Sequence, residues 1–143
     1  MGRRFVLPDY GGQNMVKSID KYFVLIALVY AVVGMVLGNI MGATLDHSQM
    51  PTHAHIMLVG WASMGLSGLI YKSWPELKSG LLPVIHFWLL QVGCLIMCIG
   101  LYLMYGGIVP EPQMGPVLGI SGIIVLGSLA LFTFIFATKA KSS

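Results

Sequence analysis

Two histidines one residue apart, in Thr52-His53-Ala54-His55, are the side chains of this sequence best suited to chemistry. Neutral imidazole is a ligand for borderline transition metals and for haem iron. On a helix, residues two apart diverge by about 200°. His53 and His55 therefore cannot chelate one ion as an i, i+4 pair does. Each offers a single imidazole, either to a separate metal or to a separate neighbour. Met57, Gly60, Met64 and then Ser67 or Gly68 continue the His53 side, which is rich in small residues. Val59, Ala62 and Leu66 continue the His55 side, which is smooth and apolar. A flat macrocycle fits against either surface. The plainer reading makes both residues helix-start imidazoles at a membrane interface, hydrogen-bonded to water and loops.

The other chemically capable residues are scattered. Asp46 and His47 can bind a surface metal or position a propionate, but a solvated loop explains them as well. His86 stands alone. Cys94 and Cys98 are four apart on one helix face, without Cys-x-x-Cys spacing, and read as small buried apolar residues. Gln91 and Asn39 are polar groups suited to a haem edge or a hydrated gap.

The elements that must position these residues follow from composition. Of the 143 residues, 57% are hydrophobic and only 9% charged, and the mean hydropathy is +0.85. Soluble domains carry about 25% charged residues, so this chain cannot solvate a water-facing surface. That excludes a soluble domain, a disordered chain, a disulfide scaffold and a nucleic-acid partner. The expected fold is all-α, an integral membrane four-helix bundle forming a single domain over 1–143. Its apolar stretches cover about 22–41, 52–71, 83–105 and 116–137, each close to the 20 residues that cross a bilayer. Loops 42–51 and 106–115 contain no Lys or Arg. The basic residues fall at both termini and around Lys72–Lys78, which by the positive-inside rule puts both termini in the cytoplasm. Pro116 is expected in the first turn of the fourth helix. Tyr22, Tyr71, Trp74, Tyr102 and Tyr105 are expected as interfacial rings near the span ends. Residues 1–20 read as a loosely ordered cytoplasmic arm. Arg3-Arg4 looks faintly like an export signal, but no convincing cleavage site follows, and the first span is read as a retained helix. The spans hold no Asp, Glu, Lys or Arg, which argues against a proton relay or a charged channel ring.

Taken together, His53-Ala54-His55 with Gly60-Trp61 beyond, then Gly68, Tyr71, Pro75 and Leu77, resembles a helix in the catalytic subunit of the haem-copper oxidase superfamily. The similarity is greatest to the high-affinity C-type cytochrome oxidases and the nitric oxide reductases. His86-Phe87-Trp88-Leu89 looks like the start of the following helix in those enzymes, and Gly34-Met35 with Gly38 like their first helix. The resemblance covers roughly 21–105, and its specific part is H-x-H-x4-G-W. It implies that His53 and His55 are axial ligands of haem b iron, with Gly60 and Trp61 packing the ring. It also implies an oxidoreductase-like protein of a bacterial or archaeal cytoplasmic membrane, resembling one four-helix arc of the catalytic subunit.

The departures shape the expected function. That subunit has about twelve spans against four here, and its copper ligands have no counterpart, so no copper is expected. His86 does not reach the iron of His55. The second helix descends about 24 Å from His55 to Tyr71, leaving roughly 15–20 Å of depth between the two imidazoles. His86 is expected to pack or hydrogen-bond at the inner side. Histidines on opposite faces of one helix suggest a haem shared between subunits; the three four-helix arcs of the subunit it resembles imply a homotrimer, with heterologous interfaces in the ring, and a homodimer is the alternative. Gly34-x-x-x-Gly38 and Gly115-x-x-x-Gly119 permit close helix approach within or between chains. The expected function is single-electron transfer in the membrane, with a quinol or cytochrome as electron partner. The next alternative is a subunit or small relative of a terminal oxidase or nitric oxide reductase with gas-binding haem. A haem carrier or sensor without turnover comes third.

Overall fold

The computed structural model describes residues 18–140, and the described residues form helices and turns without strands. Most of the expected N-terminal arm, residues 1–17, lies outside them. Helix α1 covers Ile19–Thr44, α2 Met50–Ser73, α3 Leu82–Tyr105 and α4 Glu111–Lys139, with a 3-10 turn at Pro75–Lys78 between α2 and α3. All four helices are long and apolar enough to cross a membrane, which marks an integral membrane protein. Their mean hydropathies are 2.5, 1.3, 2.1 and 2.4. The low value belongs to α2, where His53, His55, Ser63 and Ser67 replace aliphatic residues.

Helix α1 packs along α2, and α3 along α4. Close approach depends on missing side chains. A Cβ on Gly68 would lie 2.9 Å from the Asp20 carbonyl, and one on Gly93 would lie 2.9 Å from Val125 Cγ2. At the end where the chain enters α1, aromatic rings join the two pairs. There Phe23 of α1, Tyr71 of α2, His86 and Phe87 of α3 and Phe132 of α4 form one ring cluster, with centroids 4.5–5.8 Å apart. Lys78 and Asp20 meet at 3.2 Å beside it, and Lys139 Nζ donates to the Ser79 carbonyl. At the opposite end, Gln49 Nε2 donates to the Tyr102 carbonyl at 3.1 Å and ties the start of α2 to α3. The outward faces of all four helices remain apolar and exposed, as side chains bordering lipid should be.

Two boundary expectations are corrected. Helix α4 begins at Glu111, with Pro112 in its first turn, so Pro116 lies inside the helix. The first N–H groups of a helix lack intrahelical partners, which makes Pro112 the proline that starts α4 at no cost. Tyr71 is not an interfacial ring. It is fully buried, because His86 offers its hydroxyl a partner 3.1 Å away inside the bundle.

Candidate functional site

The turn that carries the histidines is built from its own neighbours. Pro51 occupies the first turn of α2, where its missing N–H is harmless. Gln49, just before it, accepts a 2.7 Å hydrogen bond from Thr52 Oγ1 while donating to α3. His53 Nδ1 stands 2.9 Å from the Gly34 carbonyl of α1. That approach needs the small residue at Gly38, where a Cβ would come within 3.0 Å of His53 Cε1. His55 Nδ1 stands 2.8 Å from the Pro51 carbonyl of its own helix.

A carbonyl only accepts, so in both rings Nδ1 carries the proton and donates. In the neutral ring, that tautomer leaves Nε2 with a free lone pair. Metal-bound histidines are oriented in this way, by donating their other ring N–H to a carbonyl. Both imidazoles are only partly buried, so neither is sealed from a ligand. His53 is held toward α1 and His55 by its own turn, and they are not drawn to a common point. Among the described residues no group of three or more His, Cys, Asp or Glu is placed to hold a metal ion. A macrocycle that already supplies four nitrogens needs only axial imidazoles. His53 and His55 can each supply one such imidazole.

Directly after His55, α2 changes form. Ile56–Ser63 is π-helical, with α-helix resuming at Met64. Ser63 Oγ donates to the Leu58 carbonyl, five residues back, at 2.9 Å, following the wider turn. Such segments are rare and frequent at functional sites. Within it, Gly60 lies beneath the Tyr30 ring of α1, whose Cγ a Cβ would meet at 2.5 Å. Trp61 points outward and is 44% exposed. Of the residues expected to line a haem, His53 and Gly60 thus face α1, while His55 bonds within its own helix and Trp61 is exposed.

The remaining candidates lie apart. His47 is an exposed loop residue with Nδ1 3.2 Å from the Leu45 carbonyl. Next to it, the Ser48 N–H donates to Asp46 and holds its carboxyl below the usual range. His86 is fully buried and stacked on Phe132 at 4.5 Å, and Ser128 Oγ donates to its carbonyl. Cys94 and Cys98 are buried free thiols with sulfurs 3.9 Å apart. Gly34 and Gly38 serve packing within the chain, whereas Gly115 and Gly119 meet nothing within 4 Å. Two features escape a sequence reading: the pairing of Tyr71 with His86, and a cleft between α1 and α3 that includes Tyr30 and Gln91. Both join residues far apart in sequence; the signals were the isolated polar Gln91 in an apolar span and His86, expected to pack or hydrogen-bond at the inner side without a named partner. No protein family, curated protein or solved structure matches this chain.

Proposed function

We propose that this protein is a membrane-embedded b-type haem protein that carries single electrons, with His53 and His55 as the axial ligands. The observation that supports it most is the matched state of the two imidazoles, each donating from Nδ1 to a carbonyl and presenting Nε2. When bound, haem supplies a one-electron iron couple. The residues of the chain do the rest. The Gly34 and Pro51 carbonyls fix ring orientation and raise ligand basicity, and the apolar surface of α2 keeps water from the macrocycle. The resemblance of His53-Ala54-His55 and Gly60-Trp61 to the haem helix of haem-copper oxidases agrees with this reading. In this proposal both termini face the cytoplasm of a bacterial or archaeal cell, and the histidine turn lies near the outer surface.

Because the two imidazoles diverge, a six-coordinate iron would take His53 from one chain and His55 from another, in a homotrimer or, failing that, a homodimer. A second reading rests on the same divergence. Within one chain each haem would have a single imidazole, which would leave iron open to a gas, as in a small relative of an oxidase or reductase. A carrier or sensor role ranks third.

Optical spectra of the detergent-purified protein separate these readings. A sharp reduced α-band unchanged by carbon monoxide is expected, with His53→Ala and His55→Ala each abolishing the six-coordinate spectrum and His86→Ala preserving it. A carbon-monoxide-shifted band moves the gas-binding reading forward. A normal spectrum in both of the first two variants sinks the assignment. A strictly monomeric species by native mass, with six-coordinate haem, removes the shared ligand.

A further inference from the structure

A groove of about 440 Å3 lies between α1 and α2, at the end of the bundle away from the histidine turn. Its floor is the helix contact at Gly68, where the missing side chain lets α2 close on Asp20 and Val24 of α1. Lys21, Leu25 and Leu28 line it from α1 and share one face of that helix. Leu69 and Lys72 line it from α2 in the same way. Lys21 stands at the start of α1 and Lys72 at the end of α2, so the two ammonium groups border the same rim. Leu28 lies about 10 Å deeper along α1. All three leucines are more than half exposed, and the groove opens on the lipid-facing surface.

The charges of this groove are unbalanced. Among the described residues the cations are Lys21, Lys72, Lys78 and Lys139. Lys78 is paired with Asp20, and Lys139 donates to the Ser79 carbonyl and hydroxyl. Lys21 and Lys72 have no acidic partner among the described residues, and these are the two that border the groove. Asp20, the carboxylate at its edge, is already neutralised by Lys78. Two like charges on one rim repel, and an anion held between them removes the repulsion.

The arrangement restricts the occupant. Two unpaired cations at the rim call for an anion, and the leucines beneath them call for an apolar chain in the same molecule. Basic pockets between membrane helices hold the headgroups of anionic lipids for this reason. A phosphocholine or phosphoethanolamine headgroup brings its own cation and competes with the lysines for its phosphate. A free phosphate satisfies the rim and makes no use of the leucines. A phosphodiester with an uncharged alcohol and acyl chains meets both demands.

We propose that the α1–α2 groove is a specific site for an anionic phospholipid. The phosphodiester lies between Lys21 and Lys72, and an acyl chain runs along Leu25, Leu28 and Leu69. The site stands on α1 and α2 alone and does not depend on haem.

The test titrates the detergent-purified full chain with dioleoyl phosphatidylglycerol, dioleoyl phosphatidylcholine or inorganic phosphate, and counts adducts by native mass spectrometry. One saturable phosphatidylglycerol adduct is expected, with phosphatidylcholine at least about tenfold weaker. Lys21→Gln and Lys72→Gln each weaken phosphatidylglycerol by about fivefold, and the double variant binds both lipids alike. Lys139→Gln removes the same charge from the same end outside the groove and leaves the preference intact. Leu69→Trp, which fills the groove, weakens both lipids. Thermal unfolding of the delipidated variants checks the fold, and exchange of exposed lysines should leave it unchanged. Equal affinity for the two lipids overturns the proposal, as does a preference that falls as far in Lys139→Gln as in Lys21→Gln, which marks diffuse charge. Inorganic phosphate bound as tightly as the lipid overturns it by assigning the rim to a free anion. If Lys21→Gln or Lys72→Gln dissociates an oligomer free of lipid, the two ammonium groups face a second copy of the chain and the proposal fails.

Discussion

Gly60→Ala should loosen the junction between α1 and α2, and the structure sets the size of the effect. The added methyl would lie 2.5 Å from Cγ, 2.6 Å from Cδ1 and 2.9 Å from Cβ of Tyr30. Carbon atoms are most comfortable at about 3.5–4.0 Å, so each contact is too short by roughly 1 Å. The atoms struck are at the base of the ring and cannot swing aside without moving α1. Overpacking of this kind costs about 1–3 kcal/mol. The better helix propensity of alanine returns roughly 0.5–1 kcal/mol. Three clashes at once with atoms at the base of the ring place the cost at the upper end of that range, so a net loss of about 2 kcal/mol remains, or about a 30-fold fall in the folded-to-unfolded ratio. Reversible denaturation in mixed micelles, followed by helix content, measures it. The control is a double-mutant cycle with Tyr30→Ala, which removes the ring and should make the alanine at 60 nearly free. A coupling of about 2 kcal/mol is expected between the two substitutions. Simple additivity, or a Gly60→Ala protein as stable as its parent, would refute the packing argument.

Two further outcomes follow from the opposite end of the bundle. His86→Ala opens a cavity beside Phe132 and strands the Tyr71 hydroxyl, so a loss of about 2–4 kcal/mol is expected. Tyr71→Phe, which removes only the hydroxyl, should cost about 1 kcal/mol; equal losses in the same denaturation assay would contradict the cluster described. Lys78→Met leaves Asp20, with its side chain only 8% exposed, without its cation. A loss of about 1–3 kcal/mol is expected, below the 3–5 typical of a fully enclosed pair, and Asp20→Leu in the same chain should recover most of it.

The long helices were legible in the sequence because their cause is local. Apolar runs of sufficient length, broken at Gly42–Gln49 and Gly106–Pro110, leave the chain no solvent but lipid, and no tertiary contact is needed to choose a helix there. The pairing of His53 and His55 in one turn was legible for the same reason. What tertiary structure decided depends on partners the sequence does not announce. Gly34 lies 19 residues before His53, yet its carbonyl fixes the ring tautomer. The π-helical stretch Ile56–Ser63 follows no periodic signal, and it seats Gly60 against the Tyr30 ring. Tyr71 looked like an interfacial ring because amphipathic residues near span ends usually are. It is buried because α3 brings His86 to it across 15 residues of chain. Composition chose the solvent and the helices; the packing of α2 against α1 and α3 chose which polar atoms find partners.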